Sequence, residues 1–267
     1  MKIPIGFAAG SETKKVAMEP LIQEKAVAVK SLVRVSFPEN CQTLTYFNDQ
    51  FDLKPGDFVF VEGKLEGVRG IVQEVNKSFK IKVADYKKVV GVADTEVSGQ
   101  MYIAGSHFIS FDPSVLAYNK IRTWYLPPVK EDDEFAVGYD DSVVFLDKLA
   151  DMKVSPTIWE RGRTYYIDNH VRYICLENGH GRAIVEGEHA YEVEFDFEGG
   201  EIRNIICTCP CGCACKHEVA ALMQLRETLG FIESDYADLH NGYFAAIVKC
   251  DLFRFAIDRR ETGSFVL

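Results

Sequence analysis

Short segments in which hydrophobic and polar residues alternate occupy much of the first third of the chain, and this alternation is typical of half-buried β-strands. The first such segment places five residues on one face: Val29, Ser31, Val33, Val35 and Phe37. Further segments rich in β-formers follow at 44–47, 58–61, 71–75 and 79–84. A turn at Pro55-Gly56 separates two of them. Five short strands within residues 28–92 predict a small β-barrel.

A second group of strand patterns follows Tyr165, at 171–176, 183–185, 191–197 and 202–206. The third of these alternates aromatic and aliphatic residues with Glu192, Glu194 and Asp196, as expected for a strand with one polar face. The apolar periodicity of His217–Leu229 predicts a helix, which Gly230 is positioned to end. This half therefore predicts a ββα arrangement.

The pattern predicts a mostly β protein with minor α, an α+β fold in four parts. These are a small barrel (28–92), a connecting region (93–155), the ββα module (156–230) and a β-rich C-terminal extension (231–267). In the connecting region we expect a strand at 101–111 and short helices at 114–121 and 140–155. Its Pro127-Pro128 pair precedes a charged run at 130–134, which is typical of an exposed boundary.

Composition indicates the cellular compartment of the protein and excludes some classes of binding partner. The 267 residues include 47% hydrophobic ones, and none of the apolar runs approaches the roughly 20 residues that span a bilayer. The short apolar start is broken by Pro4 and Gly6, so we expect a cytoplasmic protein without a signal peptide or a membrane partner. A net charge of −10 argues against non-specific nucleic-acid binding by the whole molecule.

The cysteines are concentrated at one point. Five of the eight fall within nine residues, and a histidine follows: Cys207, Cys209, Cys211, Cys213, Cys215 and His217. Disulfide frameworks spread their cysteines, so this clustering indicates a metal site. The isolated Cys41, Cys175 and Cys250 are expected to be small buried hydrophobes.

Local geometry selects a ligand set for tetrahedral zinc. Residues i and i+2 of a strand point to the same side, so Cys207 and Cys209 can face one ion from a strand end that bends before Pro210. Residues i and i+2 of a helix point in opposite directions. Cys215 and His217 can therefore share the ion only if Cys215 precedes the helix and His217 lies in its first turn.

Five residues separate two ligand pairs, Cys207-Thr208-Cys209 and Cys215-Lys216-His217. This arrangement resembles the SWIM zinc-finger family, whose pattern is Cys-x-Cys followed by Cys-x-His. The flanking 183–187 and 191–193 segments are also similar, so the resemblance covers roughly residues 160–230. It implies one structural zinc ion held by those four residues, and a role in binding protein or DNA. Cys211 and Cys213 are then either spare thiols or groups that exchange ligands or release zinc on oxidation.

Catalytic signatures are missing from the sequence. It contains no GxxxxGK[ST], GxGxxG, GxSxG or HExxH motif, and three thiolates with one histidine complete a tetrahedron without an open position for water. We therefore expect a non-catalytic zinc-binding adaptor that mediates protein–protein interaction, and not an enzyme.

The alternative is a factor that contacts DNA or RNA through its N-terminal barrel. Residues 46–75 are similar to the small β-barrels at the front of primosomal DNA helicases, and residues 28–92 carry a net charge of +2. Five lysines at the end of this region are the candidate nucleic-acid contacts: Lys77, Lys80, Lys82, Lys87 and Lys88. The zinc module carries seven basic and twelve acidic residues, which disfavours phosphate binding there.

Overall fold

The computed structural model describes residues 30–97, 99, 101–104, 107–111, 115–129, 142–235 and 243–257. Within them, thirteen strands form two antiparallel sheets. The fold is α+β and mostly strands, as the sequence predicts. The charged run at 130–134 lies outside the described residues.

The first sheet has five strands in the order β2-β1-β4-β3-β5. They are β1 (Ser31–Phe37), β2 (Gln42–Asn48), β3 (Phe58–Val61), β4 (Gly70–Asn76) and β5 (Val89–Val92). Val33, Val35 and Phe37 are fully buried on one face of β1, as the alternation predicts. The first four strands lie close to the predicted segments, which are rich in β-branched and aromatic residues.

The prediction of a closed barrel is wrong. The edge strands β2 and β5 do not form a ladder with each other; one isolated parallel bridge joins Phe47 of β2 to Lys88, just before β5. The fifth predicted strand, 79–84, is also wrong: Val83 begins a short 3₁₀ turn and is 46% exposed. The true fifth strand begins at Val89, which is fully buried and pairs with Val61. Burial decides which of the two segments forms the fifth strand, and the alternation of residues along the sequence does not show burial.

The second sheet has eight strands in the order β6-β7-β13-β9-β10-β11-β12-β8. They are β6 (Met101–Ala104), β7 (Phe108–Phe111), β8 (Val144–Phe145), β9 (Val171–Glu177), β10 (His180–Glu186), β11 (Ala190–Glu198), β12 (Glu201–Cys207) and β13 (Tyr243–Val248). Strands from the connecting region and from the C-terminal extension thus complete the sheet that carries the cysteine cluster. The hairpins β9–β10 and β11–β12 match the predicted strand order.

In the described part of the chain, four α-helices accompany the sheets: α1 (Tyr118–Tyr125), α2 (Pro156–Ile167), α3 (Lys216–Asp235) and α4 (Lys249–Leu252). The sequence pattern missed α2, and the helix expected at 140–155 is a short strand followed by a 3₁₀ segment, Leu146–Asp151. The predicted helix end at Gly230 is wrong, because α3 continues and buries Leu229 and Ile232 on either side of it. After β13, the expected strands are replaced by α4 and one π-helical turn, Phe253–Ile257.

The hydrophobic core has a layer on each face of the second sheet. On one face, α3 contributes Val219, Leu222 and Leu225, all nearly or fully buried. On the other face, α1 and the C-terminal turn contribute Trp124 and Phe255, and Phe255 meets Phe58 of the first sheet at 4.7 Å between ring centroids. The two sheets therefore share a packed interface. No helix among the described residues is long and apolar enough to cross a membrane.

Substitution of two glycines, one on each of the paired helices α2 and α3, is expected to change the stability of the protein in opposite directions. A Cβ at Gly162 would lie 2.5 Å from the Val219 Cβ and 2.9 Å from the Lys216 carbonyl oxygen, whereas one at Gly230 would meet nothing within 4 Å. We expect Gly162→Ala to lower the free energy of unfolding by about 1–3 kcal/mol through overpacking. Gly230→Ala should raise it by up to about 1 kcal/mol through helix propensity. Denaturant titration of both variants checks this; equal effects would contradict the close helix contact.

Candidate metal centre

Three cysteines and one histidine converge at the junction of β12 and α3. Cys207, Cys209, Cys215 and His217 each offer one donor atom, and these four atoms all lie within 4.8 Å of one another. Three of the four residues are buried: Cys209 is 5% exposed, Cys215 2% and His217 3%. The four residues selected from spacing are thus the ones that the fold brings together.

The separations fit a tetrahedral ion. The His217 Nδ1 lies 3.7 Å from the Cys207 Sγ and 3.7 Å from the Cys215 Sγ. With Zn–S near 2.3 Å and Zn–N near 2.0–2.1 Å, the edge of a regular tetrahedron between sulfur and nitrogen is about 3.6 Å. The donor set and its spacing are therefore consistent with one zinc site, in which Nδ1 is the histidine ligand.

The strand side of the site is held by a reciprocal pair of hydrogen bonds. The Thr208 backbone N–H donates to the Glu192 carbonyl oxygen at 2.9 Å, and the Glu192 N–H donates to the Thr208 hydroxyl oxygen at 2.9 Å. Cys207 still pairs with Val193 in the β11–β12 ladder. Thr208 thus extends the hairpin one residue past its last strand pair and fixes Cys207 and Cys209 on either side of itself.

The helix side follows the predicted division at Cys215. α3 begins at Lys216, and the Cys215 carbonyl oxygen accepts a hydrogen bond from the Val219 N–H at 3.3 Å. The Glu218 Oε2 accepts from the Cys215 N–H at 3.1 Å, a return contact of the capping-box type. Cys215 therefore lies immediately before the helix and His217 in its first turn.

Two tyrosines hold the imidazole of His217. The Tyr191 ring stacks on it with centroids 4.6 Å apart, and Tyr165 approaches it edge-on at 5.6 Å. Lys216 binds Tyr165 in turn, with its Nζ 2.5 Å from the hydroxyl oxygen. The buried His217 Nε2 has no hydrogen-bond partner among the described residues. The packing of these two aromatic rings orients the imidazole.

The thiols perturb one another strongly. A hydrogen bond with Cys207 lowers the pKa of Cys215 well below its ordinary value, and the same bond together with burial raises the pKa of Cys207. Burial raises the pKa of Cys209. Burial opposes the ionisation of each of the three thiols and thus disfavours the loss of all three protons at once. A metal ion that binds all three sulfurs has to displace those protons.

The extra cysteines lie outside this donor group. Cys211 and Cys213 are exposed, and both line a cavity of about 300 Å³ whose wall also includes Cys209, Cys215 and His217. Of the isolated cysteines, Cys175 is buried as expected, whereas Cys41 and Cys250 are exposed, so that prediction is wrong for these two.

The basic segment of the first sheet is largely paired with acids. Lys88 donates to the Asp49 Oδ2 at 2.8 Å, while Lys77 lies 3.7 Å from Asp52 and Lys82 lies 4.0 Å from Asp85. The hydrophobic stem of Lys87 covers Gly63. Lys80 and Lys82 do not share a strand face, because residues 79–84 are not a strand.

Comparison with protein-family models, with curated proteins and with solved structures finds no match to this chain. The assignment of a candidate metal site therefore rests on the geometry of the four residues. Sequence reasoning missed the supporting residues Tyr165, Tyr191 and Thr208. The position of Thr208 between two candidate ligands at a strand end is a sequence signal for its supporting role. The two tyrosines carry no such signal, because their sequence context is that of ordinary core residues.

Proposed function

We propose that this chain binds one zinc ion structurally through Cys207, Cys209, Cys215 and His217, and that the zinc-organised module is a non-catalytic surface for binding another protein. The observation that carries the proposal is the convergence of three sulfurs and one ring nitrogen within 4.8 Å. Four protein ligands complete a tetrahedron, which is the pattern of structural zinc sites. The module is of the SWIM type in its ligand spacing.

A catalytic role would need an open coordination position and a nearby acid or base. The carboxylate closest in sequence to the ligands, Glu218, is buried and accepts the Cys215 N–H at the start of α3. That contact gives it a structural use. Its position supports a non-catalytic zinc ion.

The surface we assign to the partner is the ligand loop and the adjoining side of α2. Pro210, Cys211 and Cys213 are exposed on the loop, and Arg161 is exposed on α2 beside the same cavity. Zinc bonds at both ends of the loop restrict its conformations, and a preorganised surface loses less entropy on binding. The proposed partner contact is therefore zinc-dependent.

The test compares the zinc-loaded chain with Cys215→Ser as affinity baits in nuclease-treated extract, followed by reconstitution with the purified partner. We expect a protein that binds only the zinc-loaded chain and that Arg161→Ala releases. The matched control is Arg163→Ala, which is exposed on the same helix and does not line the cavity. Equal binding to both baits, or turnover of a captured substrate, would contradict the proposal.

The DNA- or RNA-binding alternative receives a separate test at the lysines. Three of the five lie in ion pairs with aspartates, and one aromatic ring beside them, Phe79, packs edge-on against the buried Phe47. We therefore expect no salt-sensitive binding of the full chain to single- or double-stranded DNA or RNA in fluorescence titrations. If binding appears, and neutralising Lys77 and Lys80 flattens its salt dependence by up to about 0.7–0.9 log units per lost contact, the alternative is correct.

A further inference from the structure

Two exposed thiols adjoin the buried metal ligands through one cavity. Cys211 and Cys213 are both exposed, and the cavity of about 300 Å³ that they line is also lined by the inner ligands Cys209, Cys215 and His217. A Cβ at Gly212, between the two thiols, would meet nothing within 4 Å. The two thiols thus lie on an uncrowded part of the loop, beside the surface of the inner site.

Three of the four inner ligands offer little surface to a hydrated ion. Cys209, Cys215 and His217 are each at most 5% exposed, and the rings of Tyr191 and Tyr165 pack against the imidazole. A zinc ion has to shed its water to enter such a site. Exposed cysteines, in contrast, can meet the hydrated ion at the surface and replace its water as they lose their protons.

We propose that Cys211 and Cys213 form an outer thiol pair that captures a thiophilic divalent ion and passes it to the inner four ligands. Two bonds from zinc to inner donors replace the two bonds to the outer sulfurs, and two more replace the water molecules that complete the coordination of the captured ion. The outer sulfurs, which lose their protons on capture, take protons up again as the ion leaves. A proton leaves to solvent from each inner thiol that binds. The ion stays divalent throughout, so no oxidant or reductant takes part. This inference rests on the proposed function of the inner site.

The larger number of donors at the inner site favours transfer of the ion from the outer pair to the inner ligands. The outer pair offers two sulfurs on an exposed loop, where water competes, whereas the inner group offers four donors that the fold already holds together. Each outer cysteine also lies two residues along the chain from an inner one, Cys211 from Cys209 and Cys213 from Cys215. An ion can therefore pass from each outer sulfur to an inner neighbour without release.

The experiment measures zinc content and transfer rate separately, on the full chain under a non-thiol reductant. Zinc content is read by elemental analysis, and the exchange rate by the transfer of zinc to and from a coloured chelator in stopped flow. We expect the double variant Cys211→Ser/Cys213→Ser to keep one zinc ion per chain while uptake and release both slow by about tenfold or more. The control Cys41→Ser/Cys250→Ser, which changes two exposed cysteines outside this cavity, should exchange at the wild-type rate.

Each outcome has one meaning. Slower exchange at unchanged stoichiometry, in the double variant alone, supports the outer pair. Wild-type rates in the double variant overturn it while leaving the inner site intact. Loss of zinc from the double variant also overturns it, because Cys211 or Cys213 is then a resident ligand. A wild-type chain that binds no zinc overturns the proposed function and this inference together.

Discussion

Replacing Cys209 or His217 by alanine is expected to abolish tight zinc binding and to loosen the junction between β12 and α3. Structural zinc contributes on the order of 10–16 kcal/mol in small finger peptides, and a site with three ligands loses most of it. The loss stays local here, because Val219 and Leu222 anchor α3 to the core independently of the metal. We therefore expect amide exchange to accelerate most over residues 205–218, with the first sheet unchanged.

The controls are Cys211→Ala and Cys213→Ala, which lie in the same loop but outside the donor group. Elemental analysis should find one zinc ion per chain in both, as in the unmodified protein. Chelation or acid should reproduce the ligand variants, since protons compete with zinc for the thiolates as the pH falls. Unchanged exchange at 205–218 after zinc removal would contradict a structural role for the metal.

Glu186→Ala should destabilise the interface between the two sheets. The Glu186 carboxylate accepts from the Arg69 Nη2 at 2.9 Å and from the Arg172 Nε at 2.9 Å, and Arg69 also donates to the Trp124 carbonyl oxygen at 2.7 Å. Its removal leaves two guanidinium groups without their shared partner. The Glu186 side chain is 21% exposed. We therefore expect the free energy of unfolding to fall by about 3 kcal/mol, the lower end of the range for breaking a buried ion pair.

The matched control is Glu188→Ala, which removes an exposed carboxylate from the wall of the same cavity of about 250 Å³. Thermal unfolding of both variants measures the difference. A double-mutant cycle with Arg69→Ala isolates the bond between the sheets from the bond to Arg172. Equal shifts for Glu186→Ala and Glu188→Ala, or strict additivity in the cycle, would show that this ion pair does not hold the sheets together.

Much of the metal site was predictable because its constraints are local. The spacing of Cys207 and Cys209 on a strand, and of Cys215 and His217 across a helix start, depends only on backbone geometry. The structure groups those four residues and leaves Cys211 and Cys213 aside. Local pattern also predicts β1, β3, β4 and the two hairpins before the cluster, since each consists of short segments rich in β-formers that are bounded by turn formers.

The predictions that failed depend on contacts between distant parts of the chain. Residues 79–84 alternate like a strand, yet Val89 and not Val83 finds a partner strand and a buried position. Glycine commonly follows the last residue of a helix, which is why the sequence predicts an end at Gly230. α3 continues past Gly230 because this places Ile232 in the hydrophobic core. Propensity differences of about 1 kcal/mol per residue are smaller than the free energy of burying such side chains.

The sequence by itself determined the four candidate ligands, their division between strand and helix, and the faces of several strands, because these follow from bonds and spacings within a few residues. The tertiary structure decided that β6, β7 and β13 complete the sheet that carries the candidate metal centre, and that Tyr191 and Tyr165 hold His217. It also decided that Glu186 joins the two sheets through Arg69. These contacts join residues far apart in sequence, and their free energy is gained only when the whole chain packs.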